Sequence, residues 1–319
     1  MSTSVQPTRL ATKDFLSILD LQPAEFDQVL ALAATLKTQR AKGAPGPQPL
    51  AGRHVAILFE KPSMRTRITF VIAVRELGGE VIEPPPDVIF SGRETVEDVA
   101  HNLERWVAGA VVRTYAQSRL TRFAAAATRM HVVNALTDEE HPCQALADVM
   151  TLSERFGSAQ GLAVTYVGDG NNVAASLAHA GALAGMRMTF ASPVGYELPR
   201  SVIDDCTRAA RFGATITLSN DPIAAVVGAD AVYTDVWASM GQEDEADARA
   251  RIFQPFQVNR ELMATASPRA VFMHCLPAHR GVEVTDQVMD APSAAVFDQA
   301  ENRLHAQKAL LALLMGQGR

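Results

Sequence analysis

A short segment in the first third of the sequence combines the residue types that hold a small phosphate. Ser63, Met64, Arg65, Thr66 and Arg67 follow an apolar run, where a helix is expected to start. Backbone N–H groups at a helix start, two hydroxyls and two guanidinium groups can together surround a phosphate. An isolated Ser-x-Arg-x-Arg is more often a capped helix with solvated arginines. Its position directly after a predicted strand favours a phosphate site.

Three more polar residues follow later apolar runs and could bind the same anion. Arg113 ends the third run, and His141 and Gln144 open a helix after the fourth. Taken alone, such an arginine is usually an ion-pair partner, and a His-Pro pair is usually a capping turn. Because ligands of open parallel sheets lie beyond the carboxyl ends of the strands, we expect these residues at one rim.

Alternating strands and helices position these residues, and the alternation indicates the α/β class. We predict two similar-sized domains, each a parallel sheet flanked by helices. The first covers residues 1–150, the second covers residues 151–301, and a C-terminal helix, residues 302–319, packs back on the first domain. The predicted strands are HVAILFE, EVIEP, AGAVVRT and HVVNAL in the first domain and LAVTYVGDG, MRMTFASP, ATITLSN, AVYTDVW and AVFMHCLP in the second.

Length and composition exclude several classes of protein. The 319 residues suit two hydrophobic cores better than one. A net charge of −6 argues against an extended nucleic-acid surface. The three cysteines cannot form an even disulfide framework, which fits a reducing compartment. The N-terminal segment has no signal or transit pattern, and no apolar run reaches the length of about 18 residues that spans a membrane. We expect a cytoplasmic protein without membrane contact.

Two motifs in the second half could suggest a cofactor, and neither supports one. The segment GDG, residues 168–170, follows a predicted strand, but Val173 stands where a dinucleotide loop has its third glycine. His274 and Cys275 are adjacent in an extended segment, so their side chains are expected to point apart, and the sequence offers no second group of ligands. We expect neither NAD nor a metal ion, and no other cofactor.

Taken together, the motifs resemble the aspartate/ornithine carbamoyltransferase family along almost the whole chain. They are SMRTR after the first strand, HPCQALAD after the fourth, and GDGNN, DVWASMG, HCLP and ENR in the second half. HPxQxLAD is among the more specific signatures of that family. The resemblance implies transfer of the carbamoyl group of carbamoyl phosphate to an amine, without a protein nucleophile.

The resemblance assigns carbamoyl phosphate to one set of residues. This set is Ser63, Met64, Arg65, Thr66, Arg113, His141, Gln144, Cys275, Leu276 and Arg303. Arg113, His141 and Thr66 would stabilise the negative charge that develops on the carbonyl oxygen. Cys275, the fourth residue to which a catalytic role is assigned, would contact the carbamoyl nitrogen and the incoming amine.

The acceptor that the resemblance implies is free L-ornithine. Asn172, Asp235, Ser239 and Met240 would bind it, with the carboxylate of Asp235 facing its α-ammonium group. Relatives that use aspartate have a PLPR-like segment instead of HCLP, relatives that use acylated ornithine carry extra sequence after GDGNN, and a putrescine enzyme typically lacks Ser-Met-Gly. Putrescine, N-acylated ornithine, a catalytically silent paralogue acting as a binding protein and an NAD-linked dehydrogenase remain alternatives.

Two places depart from the family pattern. Met64 stands where many members have threonine, which removes a hydroxyl and keeps the backbone N–H. The segment before Glu94 reaches a neighbouring subunit in the family and commonly carries Gln or His, where this chain has Ile89 or Phe90. Arg93 could supply a cation to the neighbour's phosphate instead. Because family members share active sites between subunits, a homotrimer or a multiple of trimers is expected.

Overall fold

The computed structural model of the chain describes residues 9–85, 92–238 and 243–316. The chain divides into two compact units: unit 1 is Met1–Leu146 with Asn302–Arg319, and unit 2 is Ala147–Glu301. Each unit contains one parallel β-sheet whose strands are connected through helices. The predicted α/β class, with a parallel sheet in each half, is confirmed.

Unit 1 is built on a four-stranded parallel sheet with the strand order β2-β1-β3-β4. Its strands are β1 (His54–Phe59), β2 (Glu80–Ile82), β3 (Gly109–Arg113) and β4 (His131–Leu136). Every residue of β3 and β4 is buried, as the continuous apolar runs of a covered parallel sheet predict. Each strand coincides with one of the runs identified in the sequence.

Helices lie before, between and after these strands in the sequence. They are α1 (Pro23–Ala41), α2 (Met64–Glu76), α3 (Val96–Leu103), α4 (Gln117–Ala126) and α5 (Pro142–Phe156). Ser63 and Thr95 cap α2 and α3, because each side chain accepts a backbone N–H of the first turn. The boundary between the two units falls inside α5.

One layer of the unit 1 core lies between the sheet and the helices α3 and α4. Leu103 of α3 and Leu120 and Phe123 of α4 belong to the same buried cluster as Leu58 of β1 and Val112 of β3. Burying a side chain of this size is worth about 1.5–3 kcal/mol. The layer therefore fixes the central strands whose carboxyl ends carry the candidate site residues.

The C-terminal helix α12 (Val296–Met315) starts in unit 2 and enters unit 1 at Asn302. The start predicted at residue 302 is wrong, because the helix already begins at Val296. Within unit 1, Nζ of Lys308 donates to Glu76 Oε2 at 2.6 Å. Met315 packs so closely on β3 that a Cβ at Gly109 would lie 2.3 Å from its Cε atom. The predicted packing of this helix on the first domain is confirmed.

Unit 2 is built on a five-stranded parallel sheet with the strand order β7-β6-β5-β8-β9. Its strands are β5 (Ala163–Val167), β6 (Arg187–Ala191), β7 (Thr215–Ser219), β8 (Ala231–Thr234) and β9 (Val271–His274). All of them coincide with predicted runs. β8 and β9 are fully buried, whereas β7 forms a partly exposed edge.

The helices of unit 2 are α6 (Asn172–Ala184), α7 (Arg200–Ala209), α8 (Pro222–Val226), α9 (Ala246–Phe253), α10 (Arg260–Met263) and α11 (Asp286–Met289). α6 is alanine-rich and buried over most of its length, and it ends at Gly185 in the left-handed conformation. In the described ranges, no helix combines the length and the apolar character needed to cross a membrane.

Aromatic side chains hold the central strands of unit 2 together. Tyr166 of β5 stacks on Tyr233 of β8 with ring centroids 5.6 Å apart, and it contacts Phe190 of β6 at 5.8 Å. Such pairs add about 0.5–1.5 kcal/mol to the burial of each ring. The phenol oxygen of Tyr233 accepts a hydrogen bond from Gln299 Nε2 at 2.9 Å. These contacts fix the ends of β5 and β8.

Both sheets reverse their strand order at one point. The reversal lies between β1 and β3 in unit 1 and between β5 and β8 in unit 2. In open parallel sheets, ligands bind beyond the carboxyl ends of the strands at such a reversal. The segments that follow these four strands are therefore where a binding site is expected in each unit.

Candidate active site

The start of α2, directly after β1, forms the first part of the site in unit 1. Oγ of Ser63 accepts the N–H of Thr66 at 3.3 Å, which caps the helix. Thr66 is buried and Arg65 is half-buried. Met64 is 66% exposed and its side chain has no hydrogen-bond donor, so this residue could donate to a ligand in the site only through its backbone N–H. The helix start carries the positive end of the helix dipole.

Arg67 is not part of this arrangement. Its guanidinium group pairs with the carboxylate of Glu83 and lies over the ring of Phe59, 5.4 Å from the centroid. The sequence suggested two guanidinium groups for a phosphate in this segment. Only Arg65 remains a candidate, because Arg67 is held by Glu83.

Buried cations from distant parts of the chain complete the site in unit 1. Arg113 ends β3 and is 5% exposed, and Arg303 lies in α12 and is 3% exposed. Nη2 of Arg303 donates a hydrogen bond to Oγ1 of Thr66. Thus α12 brings Arg303 to the start of α2, which was predicted only by resemblance. Because Arg303 is in the second turn of α12, the predicted position at the start of the helix is corrected.

His141 is the neutral member of this group. It lies just before α5 and is buried, as is Gln144 in the first turn of that helix. Burial lowers the pKa of His141 well below its usual value, and the charges of Arg303 and Arg113 lower it further. A neutral imidazole has one N–H donor and one acceptor nitrogen. At neutral pH, His141 can therefore donate a hydrogen bond without adding a third positive charge.

Cys143 and Lys61 are two further buried groups near these segments. The thiol of Cys143 donates to the carbonyl of Asn134 at 3.3 Å, and burial raises its pKa to about 12. It is a packing residue, because it is buried and its thiol is held by a backbone carbonyl. Lys61, which the motifs did not single out, is 3% exposed, pairs with Asp138 and lies 4.3 Å from the ring centroid of Tyr115.

A buried carboxylate is the centre of the site in unit 2. Asp235 follows β8 and is 5% exposed. Its Oδ2 atom accepts a hydrogen bond from Nδ2 of Asn171 at 3.0 Å, and its Oδ1 atom accepts one from the thiol of Cys275 at 3.0 Å. The three residues follow β5, β8 and β9, so neighbouring strand ends assemble this group.

Asn171 was missed by the motif comparison, which pointed to its neighbour Asn172. Asn172 is the first residue of α6 and is half-buried. Asn171 caps the same helix, because its Oδ1 atom accepts the N–H groups of Val173 and Ala174 at 3.0 and 3.1 Å. An asparagine directly before an apolar helix is a recognised start signal. That signal predicts the cap but not the contact with Asp235.

The phenol of Tyr166, close to Asp235, is held in its protonated form. Burial raises the pKa of Tyr166 well above its usual value, and the charges of Asp235 and Asp169 raise it further. The phenol donates to Oδ1 of Asn171 at 3.3 Å. The site in unit 2 therefore combines one carboxylate with neutral donors.

The loop after β9 turns sharply at the residues that the HCLP motif contains. Leu276 has a φ of 61°, which is uncommon for a non-glycine residue. Its N–H donates to Nδ1 of His274 at 2.9 Å, while Nε2 of His274 lies 3.3 Å from Oε1 of the buried Glu283. Cys275 and Leu276 are both half-buried.

The geometry at this loop differs from the expectation that the side chains of His274 and Cys275 point apart. The ligand atoms of Asp235, His274 and Cys275 lie within 4.8 Å of one another, although the two adjacent residues were expected to point apart. The ring nitrogens of His274 are engaged by Leu276 and Glu283. A metal ion at this position would have to displace one of these bonds.

Position 170 in the GDGNN segment requires a glycine because neighbouring backbone leaves no room for a side chain. Its N–H donates to the carbonyl of Tyr196 at 2.8 Å. A Cβ at this position would lie 2.5 Å from the carbonyl carbon of Glu197 and 2.5 Å from the nitrogen of Leu198. The space beside Gly170 is therefore filled by the loop after β6. This glycine needs no pyrophosphate to explain it.

The described part of the chain does not test several of the predicted roles. Ser239 and Met240 lie outside the described residues, as do Ile89 and Phe90. Arg93 is exposed in the segment before α3. Their predicted roles in binding remain predictions.

Two parallel sheets, one with buried cations and one with a buried carboxylate at its strand reversal, define a two-domain α/β protein whose two sites suit an anion and an amine. Residues 13–154 match the domain described as "Aspartate/ornithine carbamoyltransferase, carbamoyl-P binding domain", and residues 160–314 match the "Asp/Orn binding domain" of the same description. The chain belongs to the aspartate/ornithine carbamoyltransferase family.

Relatives named ornithine carbamoyltransferase resemble the chain over nearly its whole length. The protein of Parafrankia sp. (strain EAN1pec) is 50% identical, over 97% of this chain and 98% of its own length. The protein of Thermococcus kodakarensis is 48% identical, over 96% of this chain and 98% of its own length. The solved structure of ornithine carbamoyltransferase from Pyrococcus furiosus has a TM-score of 0.93 and 47% identity, and the match covers 98% of this chain and 100% of that one.

Proposed function

We propose that the chain transfers the carbamoyl group of carbamoyl phosphate to the δ-amine of L-ornithine, giving L-citrulline and phosphate. The observation that carries the proposal is the pair of complementary sites. Unit 1 has buried Arg113 and Arg303 beside neutral His141, and unit 2 has buried Asp235 with neutral donors. The first suits an acyl phosphate, and the second suits an α-ammonium group. The relatives named ornithine carbamoyltransferase, which match over nearly the whole length of both chains, support this assignment.

Carbamoyl phosphate binds to unit 1 in this proposal. The backbone N–H groups of Met64 and Arg65, the guanidinium group of Arg65 and the hydroxyls of Ser63 and Thr66 hold its phosphate. A helix start favours such a dianion because its N–H groups and its dipole both point toward it. Arg303, already bonded to Thr66, adds a second guanidinium group.

The carbonyl group of the substrate faces the remaining groups of unit 1. Arg113, Thr66 and the neutral imidazole of His141 donate to its oxygen and stabilise the charge that forms when the amine attacks. Gln144 orients the carbamoyl nitrogen. Because the donors are buried, their interaction with this charge is stronger than it would be in water.

Ornithine binds to unit 2. Asp235 pairs with its α-ammonium group, Asn172 contacts its backbone groups, and Ser239 and Met240 hold its carboxylate. Cys275 and the backbone carbonyl of Leu276 contact the carbamoyl nitrogen and the incoming δ-amine.

The reaction needs no protein nucleophile and no cofactor. The neutral δ-amine attacks the carbonyl carbon, the bond from that carbon to the phosphate oxygen breaks, and the amine loses a proton. Asp235, Cys275 and the departing phosphate are the candidates for the proton acceptor. A free alkylamine titrates near about 10, so the rate should rise on the alkaline side of neutrality.

A homotrimer, or a multiple of trimers, in the cytoplasm is part of the proposal. In this assembly the exposed Arg93 of one subunit supplies a cation to the phosphate of its neighbour. Sedimentation tests the assembly, and steady-state kinetics of Arg93→Ala test the contact, because the variant should keep the assembly and raise the KM for carbamoyl phosphate.

A colorimetric assay for the carbamoylated product tests the function. Carbamoyl phosphate is offered with ornithine, putrescine, aspartate or N-acetylornithine as the acceptor. We expect rapid product formation with ornithine and at least about a hundredfold lower kcat/KM with the others, because each leaves a buried polar group without its partner. Turnover of another acceptor would reassign the substrate, and absence of turnover with all four would indicate a silent paralogue.

A further inference from the structure

We infer that Asn171 is a positioning residue that fixes the carboxylate of Asp235 for the α-ammonium group of the amino-acid substrate. This inference rests on the proposed function. The motif comparison gave Asn171 no role, and its place before α6 explains only one end of its side chain. The other end contacts the carboxylate that the proposal assigns to ornithine.

The orientation of the Asn171 amide is determined by its neighbours. Its Oδ1 atom accepts from the N–H groups of Val173 and Ala174 at 3.0 and 3.1 Å and from the phenol of Tyr166 at 3.3 Å. All three partners are donors, so the oxygen of the amide must face them. The NH₂ group must then face Asp235, where Nδ2 lies 3.0 Å from Oδ2.

Asp235 needs such a partner because its carboxylate rotates easily. The torsion that turns a carboxylate has broad preferences, so packing alone does not fix its plane. Asn171 holds one oxygen and the thiol of Cys275 holds the other, each at 3.0 Å. With both oxygens held in this way, the carboxylate is fixed before the substrate arrives. Its remaining lone pairs keep a constant direction for the ammonium group.

The amide also suits this place chemically. A carboxylate at position 171 could still cap α6, but it would put a second negative charge against Asp235. A hydroxyl could cap the helix and could not reach the carboxylate in the same way. Asparagine combines an acceptor for the helix and a donor for Asp235 in one rigid planar group.

Two substitutions separate the cap from the contact with Asp235. Asn171→Ser keeps an N-cap residue and removes the amide donor, whereas Asn171→Asp keeps the cap and replaces the donor by a carboxylate. Asp221 caps α8 in the same unit by accepting the N–H groups of Ile223 and Ala224 at 2.9 and 3.0 Å. Asp221→Ser is therefore the matched control for a change of cap.

The test compares steady-state constants for both substrates with inhibition by L-norvaline, which has the α-amino-acid end of ornithine and lacks the δ-amine. A lost hydrogen bond to a charged group corresponds to about a ten- to hundredfold loss of affinity. In Asn171→Ser we expect the KM for ornithine and the Ki of norvaline to rise together by at least about tenfold. The KM for carbamoyl phosphate and the melting temperature should stay near the wild-type values. Asn171→Asp should show a larger rise, and Asp221→Ser should show none.

The outcomes distinguish the inference from the function. Wild-type KM and Ki values in Asn171→Ser, with citrulline still formed, would overturn the positioning role and leave the function intact. A parallel rise of both KM values with a lower melting temperature would reduce Asn171 to a structural cap. A wild-type protein that makes no citrulline and does not bind norvaline would overturn both.

Discussion

The site in unit 1 and the site in unit 2 lie at equivalent positions of two parallel sheets, yet their charges are opposite. In unit 1 the buried groups are Arg113 and Arg303 with His141. In unit 2 the buried group is Asp235, to which the half-buried Asn171 and Cys275 donate. The reversal of strand order determines where a ligand can bind. The side chains after the strands determine which ligand it is.

The titratable groups of the two sites show the same contrast. Burial and two arginines lower the pKa of His141, whereas burial and nearby acids raise the pKa of Tyr166. Burial favours the neutral form of both groups, and the nearby charges that add to this effect are positive beside His141 and negative beside Tyr166. Each site therefore has hydrogen-bond donors that do not change its net charge.

The largest effect is expected for a substitution in the cationic site of unit 1. Arg113→Ala removes a buried guanidinium group and should lower kcat about a thousandfold, as loss of one donor to an oxyanion does. The citrulline assay measures it, and circular dichroism checks the fold. Arg200→Ala, whose side chain is 83% exposed on α7, is the control and should keep wild-type turnover. A kcat within about tenfold of wild type in Arg113→Ala would remove Arg113 from the oxyanion site.

The second prediction concerns a substitution that disrupts only the anionic site of unit 2. Asp235→Asn preserves the shape of the side chain and removes its charge. Loss of one partner of a buried charge pair costs enough free energy to raise the KM for ornithine about a hundredfold. The KM for carbamoyl phosphate should hardly change. Equal increases in both KM values would mean that Asp235 does not belong to an amino-acid site, and Asp221→Asn at an exposed helix cap should change neither.

A third substitution tests whether only the site of unit 1 depends on the C-terminal helix. A Cβ at Gly109 would lie 2.3 Å from Cε of Met315, so Gly109→Ala must move the flexible end of this buried side chain and should cost about 1 kcal/mol of unfolding free energy. Urea denaturation measures this loss. Because Met315 and Arg303 both lie on α12, any shift of this helix should raise the KM for carbamoyl phosphate more than the KM for ornithine.

Gly46→Ala is the control for that substitution. Its Cβ would meet only Nζ of Lys308, at an ordinary distance of 3.8 Å. We expect unchanged stability and unchanged KM values. Equal stability of Gly46→Ala and Gly109→Ala would show that Met315 moves aside at no cost.

The smallest predicted effect concerns stability at mildly acidic pH. His141 and His131 have pKa values below the usual one, in both cases chiefly because of burial. The unfolded chain then binds more protons than the folded chain below about pH 6.5, so stability falls as the pH decreases through this window. Each such histidine contributes at most about 1.4 kcal/mol per pH unit.

His141→Gln should therefore reduce the dependence of the unfolding free energy on pH between about 6.5 and 5. Urea denaturation at several pH values gives the slope. His101→Gln, at an exposed position of α3, controls for the removal of an imidazole. A slope as steep in His141→Gln as in the wild type would mean that His141 is charged in the folded protein.

Residue patterns predicted the strands well because buried parallel strands are continuous apolar runs bounded by residues that favour turns. The start of α12 was less predictable. The six residues from Val296 to Glu301 contain neither glycine nor proline, so nothing in them excludes a helix, and the ENR motif drew the boundary to residue 302. A motif marks residues that bind, and it carries little information about where an element begins.

The site could be predicted only as far as strand ends determine it. Arg113 and His141 lie at strand ends and were found in this way, whereas Asp235, which follows β8, was assigned by resemblance. The partners of side chains depend on rotamers and on distant segments, and these are not readable from spacing. Arg67 is held by Glu83, and Asn171 reaches a residue 64 positions away. The same limit explains the wrong expectation that His274 and Cys275 point apart.

The crossing of α12 from unit 2 into unit 1 also has a consequence for the order in which the chain folds during synthesis. Unit 2 is a continuous stretch, Ala147–Glu301, and it can complete its core once that stretch has left the ribosome. Unit 1 lacks the buried Leu310, Leu311 and Leu314 until α12 has been made. The unit that begins first is therefore the one that finishes last, and its apolar surface needs protection during the interval.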